Sequence, residues 1–323
     1  MNTEPQVDST HRGAAAAERG AAGGHLGKVL WRDRYLWILV LPGVVYFAVF
    51  LYAPMIGLVI SFESYSPFRG MFAGPWVGLK WFQQFFGSPY FGRLMRNTIL
   101  LNLYSLFWGF PAPIIFALML NEVRSRHFKK ITQTLSYLPH FVSTVVIIGI
   151  VSSLLDPDSG LINLAIKATG GQPINFMGAP QWFRTIYIGS GIWQDLGWSC
   201  IIYLAALAGI DPQLYEAAKI DGAGKLQQIW HVTLPGIIPT IVIMLIMSLG
   251  GMFSVGYEKI ILMYNTSTYE TADVINTYVF RRGIVGSEYS FGTAVGLFQS
   301  AINFTLVYFV NKLSGKISEV SLW

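Results

Sequence analysis

The chain has 323 residues, of which 53% are hydrophobic and 12% charged, with a net charge of +5 and a positive mean hydropathy. A soluble globular domain carries about 25% charged residues, so this composition belongs in a bilayer. The basic residues are scattered between apolar stretches rather than gathered into the stripe that a nucleic-acid backbone needs. The single cysteine, Cys200, excludes an intrachain disulfide and every multi-cysteine metal site.

In chain order, residues 1–30 are polar and rich in Ala and Gly, too poor in large apolar groups to bury a core, and are expected to form a disordered tail. The first apolar run begins near Leu36 and is long enough to remain in a membrane, which argues against a cleaved signal peptide. Six segments then approach the roughly 20 mostly apolar residues needed to cross hydrocarbon: 36–60, 97–120, 131–155, 185–210, 234–257 and 289–311. The third and fourth carry one polar exception each, His140 and Asp195. Prolines at 42, 54, 111, 113, 139, 235 and 239 predict a bent helical bundle. The short regions around Arg32 and Arg34, and around Arg124, Arg126, Lys129 and Lys130, are basic. With Lys219, Lys225, Lys312 and Lys316 on the same side, they place both termini in the cytoplasm.

Between the fourth and fifth spans lies "EAAKIDGAGKLQQIWHVTLP", Glu216 to Pro235. Its "DGAGK" is not a phosphate loop, because Lys219 stands where the first glycine is required and Leu226 where the magnesium-binding hydroxyl is required. Asp211 followed by Pro212 is a helix start. Gly222 and Gly224 then break that helix, and Leu226, Ile229 and Trp230 begin a second short apolar face that ends at Leu234 and Pro235. On amphipathicity alone, a connector lying among lipid headgroups fits as well as a docking element.

The spacing is more specific. Glu216-Ala217-Ala218, three residues, Gly222, nine residues, Val232, one residue, Leu234-Pro235 resembles the EAA signature of the permease subunits of binding-protein-dependent ABC importers. It also stands before the next-to-last span of a six-span chain, as that signature does. The resemblance runs from about Arg96, with "RNT" at Arg96–Thr98, to the last span. The extra leading span and long 61–96 region resemble the carbohydrate-uptake branch, and the closing "SLW" with the EAA run resembles the polysaccharide-type permeases, an alginate importer among them.

The resemblance implies an all-α integral inner-membrane bundle. Its expected parts are a cytoplasmic tail at 1–30, a first transmembrane helix and external region at 31–95, a permease core at 96–312, and a C-terminal tail at 313–323. Glu216, Ala217, Ala218, Asp221, Gly222, Ala223, Leu234 and Pro235 would form a coupling helix seated on a cytoplasmic ATPase. The implied partners are a second similar permease, two ATPase subunits carrying ATP and magnesium, an external or periplasmic solute-binding protein, a carbohydrate and membrane lipid, with no cofactor in this chain. Transport would proceed by alternating access.

A saccharide path needs aromatic faces with amide, hydroxyl or carboxylate partners. Trp193, Gln194, Asp195 and Trp198 supply both kinds of group in the fourth span, although Asp195 could equally fasten helices together. Phe253 and Tyr257 in the fifth span and Gln299 and Asn303 in the sixth are further candidates, with helix packing as the competing explanation. Lys259, Arg281 and Arg282 are expected to make a basic outer mouth. His140 reads as a lone structural histidine. No H-E-x-x-H, G-x-S-x-G or paired in-span carboxylate occurs, so an embedded lipid or glycan enzyme lacks a catalytic set. An ion-coupled secondary transporter would leave the EAA run unexplained and lacks duplicated halves.

Overall fold

Apolar spans interrupted by proline give this chain long helices with irregular turns. In a computed structural model, residues 32, 34–250 and 256–317 are described, together with the side chains of those residues other than 250 and 313–317. The expected terminal tails therefore lie outside the described residues, apart from 313–317, which continue the last helix. Two units are distinguished, Met1–Val59 and Ile60–Trp323. Within the first, α1 (Arg34–Tyr46) has no buried side chain.

The second unit runs through α2 (Lys80–Phe86), α3 (Phe91–Tyr104), α4 (Pro111–Glu122), α5 (Arg126–Tyr137), α6 (Thr144–Leu154) and α7 (Leu161–Ala168). Next come α8 (Pro180–Ala208), α9 (Pro212–Ile220), α10 (Lys225–Gln228) and α11 (Leu234–Gly250). It ends with α12 (Tyr257–Met263), α13 (Tyr269–Ala272), α14 (Ile275–Val279) and α15 (Tyr289–Ile317). Among the described residues there is no strand, only an isolated antiparallel bridge between Glu63 and Trp76.

Among the described residues, four helical runs are long and apolar enough to cross a membrane: Arg34–Phe62, Phe91–Glu122, Lys225–Leu249 and Tyr289–Lys312. They correspond to the first, second, fifth and sixth expected spans. α8 has the length, 29 residues, or about 43 Å at 1.5 Å per residue, but Arg184, Gln194 and Asp195 make it more polar. The third expected span is not straight: Arg126–Phe141 and Thr144–Leu154 meet at 106°. Pro139 lies in a 3-10 turn, Leu138–Phe141, after which Ser143 caps α6 by accepting from the Val146 N–H.

Pro54, Pro111 and Pro235 each follow a π-wound turn, Phe47–Tyr52, Ser105–Gly109 and Ile229–Thr233 respectively. Proline lacks an N–H and its ring collides with the carbonyl four residues earlier. Wider π winding lets the chain continue through it. At Pro235 this joins α10 to α11, so the second short helix expected after Gly224 is instead the first part of the fifth span.

The core that matters for the site joins α4, α8 and α11, where Ile114, Ala117, Leu120, Cys200, Tyr203, Leu207 and Ile237 pack together. Cys200 is fully buried there, in agreement with a packing role. α5 crosses α8 at Gly197, where an added Cβ would collide with the Ser136 carbonyl.

Candidate functional site

α8 organises the candidate site. On the side facing α3, α4 and the π turn between them lie three cavities that share lining residues. The first, about 580 Å³, is lined by Tyr104, Trp108, Gln181, Arg184, Thr185 and Ile188, among others. The second, about 290 Å³, shares Ile188 and Ile192 with it and adds Ser105, Tyr187, Gln194, Asp195 and Lys259. The third, about 360 Å³, shares Ser105, Gly109, Pro113 and Ser199 with the second and reaches Tyr203, Met244 and Ser248. Together they make a groove along more than four turns of α8.

The middle of the groove carries opposite charges. Asp195 accepts or shares a hydrogen bond with His140 Nδ1 at 2.9 Å, and the His140 ring stacks on Trp198 at 4.6 Å and 3°. Asp195 thus ties α8 to the Leu138–Phe141 turn and also lines the cavity. His140 is not alone, as the sequence suggested, because Asp195 is its partner. Gln194 donates weakly to the Val142 carbonyl, at 3.4 Å. Lys259, placed by the sequence at an outer mouth, lies over the Tyr187 ring at 5.2 Å and lines the same cavity as Asp195.

Trp193, Tyr257, Gln299 and Asn303 do not line this groove. Trp193 points elsewhere and is 44% exposed. Tyr257 packs against Phe280 at 5.9 Å. Gln299 is buried in α15 and Asn303 is half-buried there, and neither lines the three cavities. Phe253 lies outside the described residues.

Arg281 and Arg282 are not a free basic mouth either. Arg281 makes a two-point contact with Asp273, at 3.2 and 2.9 Å, and Arg93 reaches the same carboxylate at 3.0 Å. Arg282 contacts Glu288 at 3.1 and 2.7 Å and donates to the Tyr278 hydroxyl at 3.1 Å. Its hydrogen bonds to Glu288 hold the guanidinium further above its ordinary range. Both charges are committed within the fold.

Beyond the Ala208 end of α8, Asp211 caps α9 by accepting from the Gln213 N–H at 2.9 Å. The helix closes with Asp221 N–H bonded to the Ala217 carbonyl at 3.0 Å and Ala223 N–H to the Ala218 carbonyl at 2.8 Å. Gly222 sits at φ +78°, and an added Cβ there would meet nothing within 4 Å; left-handed backbone, not crowding, is what requires glycine. Gln228 is buried and donates to the Ala223 carbonyl at 2.8 Å, while Tyr215 donates to Thr233 Oγ1 at 3.1 Å. These bonds make one elbow of Leu214, Ala217, Ala218, Asp221, Gly222, Ala223 and Val232, bordering a hollow of about 440 Å³. Leu234 is half-buried and Pro235 exposed at its far end. Glu216 and Ala217 are exposed, and so are the apolar side chains of Leu214, Ile220, Leu226 and Trp230.

Residues 109–317 match the family described as "Binding-protein-dependent transport system inner membrane component". The chain belongs to this family. It is a multi-pass inner-membrane permease of an ABC importer, and its role is transport. It is 46% identical to the polygalacturonan/rhamnogalacturonan transport system permease protein YteP of Bacillus subtilis (strain 168), over 91% of this chain and 92% of that one. It is 42% identical to protein LplB of the same organism, with the same coverage. A solved bacterial ABC transporter involved in the import of the acidic polysaccharide alginate contains a chain 43% identical, with a TM-score of 0.86, over 91% of this chain and 99% of that one. A second structure of a bacterial alginate ABC transporter, in complex with an alginate pentasaccharide-bound periplasmic protein, matches at 42% identity and a TM-score of 0.85 over the same shares.

The sequence missed Tyr104, Trp108 and Arg184. Arg184 stands one residue before the expected fourth span, and Tyr104 and Trp108 are spaced i, i+4 within the second. A helical projection of residues 181–195 would have aligned Gln181, Arg184, Ile188, Ile192 and Asp195.

Proposed function

We propose that this chain forms half of the path by which a carboxylate-bearing oligo- or polysaccharide enters the cell, alternating between outward and inward access. The observation that carries this reading is that one helix, α8, both lines the groove containing Gln194, Asp195 and Lys259 and leads into the exposed elbow at Asp211–Pro235. Motion of the elbow is thereby transmitted to the groove wall. The acidic-saccharide class is supported by the substrates for which the relatives at 42–46% identity are named and by a cation, Lys259, inside the groove.

In this reading a second permease supplies the facing wall, two ATPase subunits holding ATP and magnesium receive the elbow, and an external solute-binding protein delivers the sugar. The exposed apolar side chains of Leu214, Ile220, Leu226 and Trp230 suit a protein groove, while Glu216 offers a charge to a basic partner. Both termini and the elbow lie in the cytoplasm, as the Lys and Arg distribution favours. The chain itself carries no cofactor.

Deleting this chain from its host should abolish uptake of labelled oligogalacturonate and oligoalginate, and expression from a plasmid should restore it for at least one of them. Undiminished uptake of both after deletion, or import restored only for neutral sugars, would overturn the acidic-saccharide reading.

A further inference from the structure

Four arginines of the second unit are half-buried: Arg93, Arg184, Arg281 and Arg282. Three have carboxylates, since Arg93 and Arg281 share Asp273 and Arg282 holds Glu288. Arg184 has none within 4.0 Å among the described residues, and its Nε is buried with no hydrogen-bond acceptor there. Its one hydrogen bond among those residues is to an amide: Nη2 donates to Asn97 Oδ1 at 3.0 Å. Asn97 is itself fixed, because its Nδ2 donates to the carbonyls of Glu270 and Asp273 at 2.9 and 3.0 Å. The guanidinium is thus held in a set orientation with no carboxylate in direct contact, Glu270 acting on it only from beyond ion-pair distance.

Arg184 opens onto the 580 Å³ cavity at the end of the groove away from the elbow, whose wall includes Tyr104, Trp108, Gln181 and Thr185. Tyr104 and Trp108, one helical turn apart, are both exposed, giving ring faces for the C–H surface of a pyranose. Gln181 and Thr185 supply hydroxyl partners. A planar, preoriented guanidinium matches a carboxylate through two parallel hydrogen bonds, which a lysine ammonium cannot reproduce.

We propose that Arg184, Tyr104 and Trp108 form a subsite that recognises one uronate unit of the incoming chain before it reaches the Gln194–Asp195–Lys259 stretch. Arg184 binds the carboxylate, the two rings carry the sugar face, and Asn97 holds the guanidinium in place. This subsite rests on the acidic-saccharide reading, but is a separate claim about where the carboxylate is read.

The test is equilibrium binding to the purified full complex, without its binding protein, using oligogalacturonate and its methyl ester followed by saturation-transfer NMR. Wild type should favour the acid. Arg184→Gln should reduce that preference about tenfold, and Arg184→Lys should lower it by less. Trp108→Ala should weaken both ligands alike. If wild type prefers the acid and Arg184→Gln retains the full preference, the subsite is wrong while the import reading stands. Should Arg184→Gln fail to assemble, Arg184→Lys decides, and an undiminished preference in that variant overturns the proposal. If the wild-type host neither imports nor binds acidic oligosaccharides, both readings fall together.

Discussion

The elbow at Asp211–Pro235 and the arginine cluster around Asp273 are both polar segments attached to apolar spans, yet they are built in opposite ways. In the cluster, Asp273 is fully buried and accepts from Arg93, Arg281 and the Thr277 hydroxyl, while Asn97 and Thr98 from α3 bond backbone groups on the same stretch. Apart from Arg93 Nε, which is buried without an acceptor, its polar groups find partners among the described residues. In the elbow, α9 has no buried side chain, and four large apolar groups face outward. Its backbone and the polar side chains of Asp211, Tyr215 and Gln228 are bonded within it, but those four apolar side chains are left uncovered. The difference separates a region that holds the bundle together from one whose exposed apolar face the proposed ATPase contact would cover.

The strongest way to break that contrast is to remove the cluster's carboxylate. Asp273→Asn leaves two guanidiniums facing a neutral amide at a buried position, and breaking a buried ion pair costs about 3–5 kcal/mol. Folded yield in detergent should fall sharply, and the surviving fraction should unfold at a lower temperature. Yield and melting temperature equal to wild type would mean that the cluster does not hold α3 against the 270–281 segment.

A substitution in the elbow should act on function before stability. Gly222→Val forces a β-branched residue to φ +78°, at a cost of roughly 1–2 kcal/mol confined to the turn. No neighbour is displaced, since the space around Gly222 is open. The bundle should stay folded while uptake and substrate-stimulated ATP hydrolysis become uncoupled in the reconstituted complex. Wild-type uptake and hydrolysis in this variant would remove the elbow from the transmission path. Gly222→Asn, which tolerates the left-handed region better, should be milder.

These two regions also mark how far the sequence could be read. The elbow was legible because its instructions are local: a cap at Asp211, a glycine for the turn, and fixed spacing to Pro235. Most of the spans were legible because crossing hydrocarbon demands a run of apolar residues. What failed depends on how turns and helices fold back on their neighbours, near and far in the chain. Arg281 and Arg282 look like free charges until Asp273 and Glu288 are folded beside them. Lys259 reads as an isolated charge until α12 places it over Tyr187. Trp193 and Asp195 are two positions apart, and only the rotation of α8 against α4 decides which one lines a cavity. The 106° break between Phe141 and Thr144 required knowing how Pro139 and Ser143 combine.

The pairing of Arg281 and Arg282 sharpens the contrast in a third way. If both were steering charges, replacing them with glutamine would slow uptake most at low ionic strength. Because both are held by carboxylates, the double variant should instead lose stability, with the salt dependence of uptake by the folded fraction unchanged. A steeper wild-type salt response that disappears in the variant would restore the outer-mouth role.

The smallest effect is expected where the elbow meets the rest of its unit. Lys225 Nζ contacts Glu122 Oε2 at 2.7 Å, joining the start of the fifth span to the end of α4, with side chains 65% and 32% exposed. Such an exposed pair contributes about 0.2–1 kcal/mol, far below the buried Asp273 cluster. A double-mutant cycle with Lys225→Ala and Glu122→Gln should therefore give a coupling energy within that range, weakening as salt is added. The same cycle read by uptake is more informative, because this contact links the elbow to a groove-lining segment. A coupling visible in uptake but near zero in unfolding would show that the pair positions the elbow during transport. Equal, small couplings in both would confine it to ordinary surface electrostatics and leave α8 as the connection between the elbow and the groove.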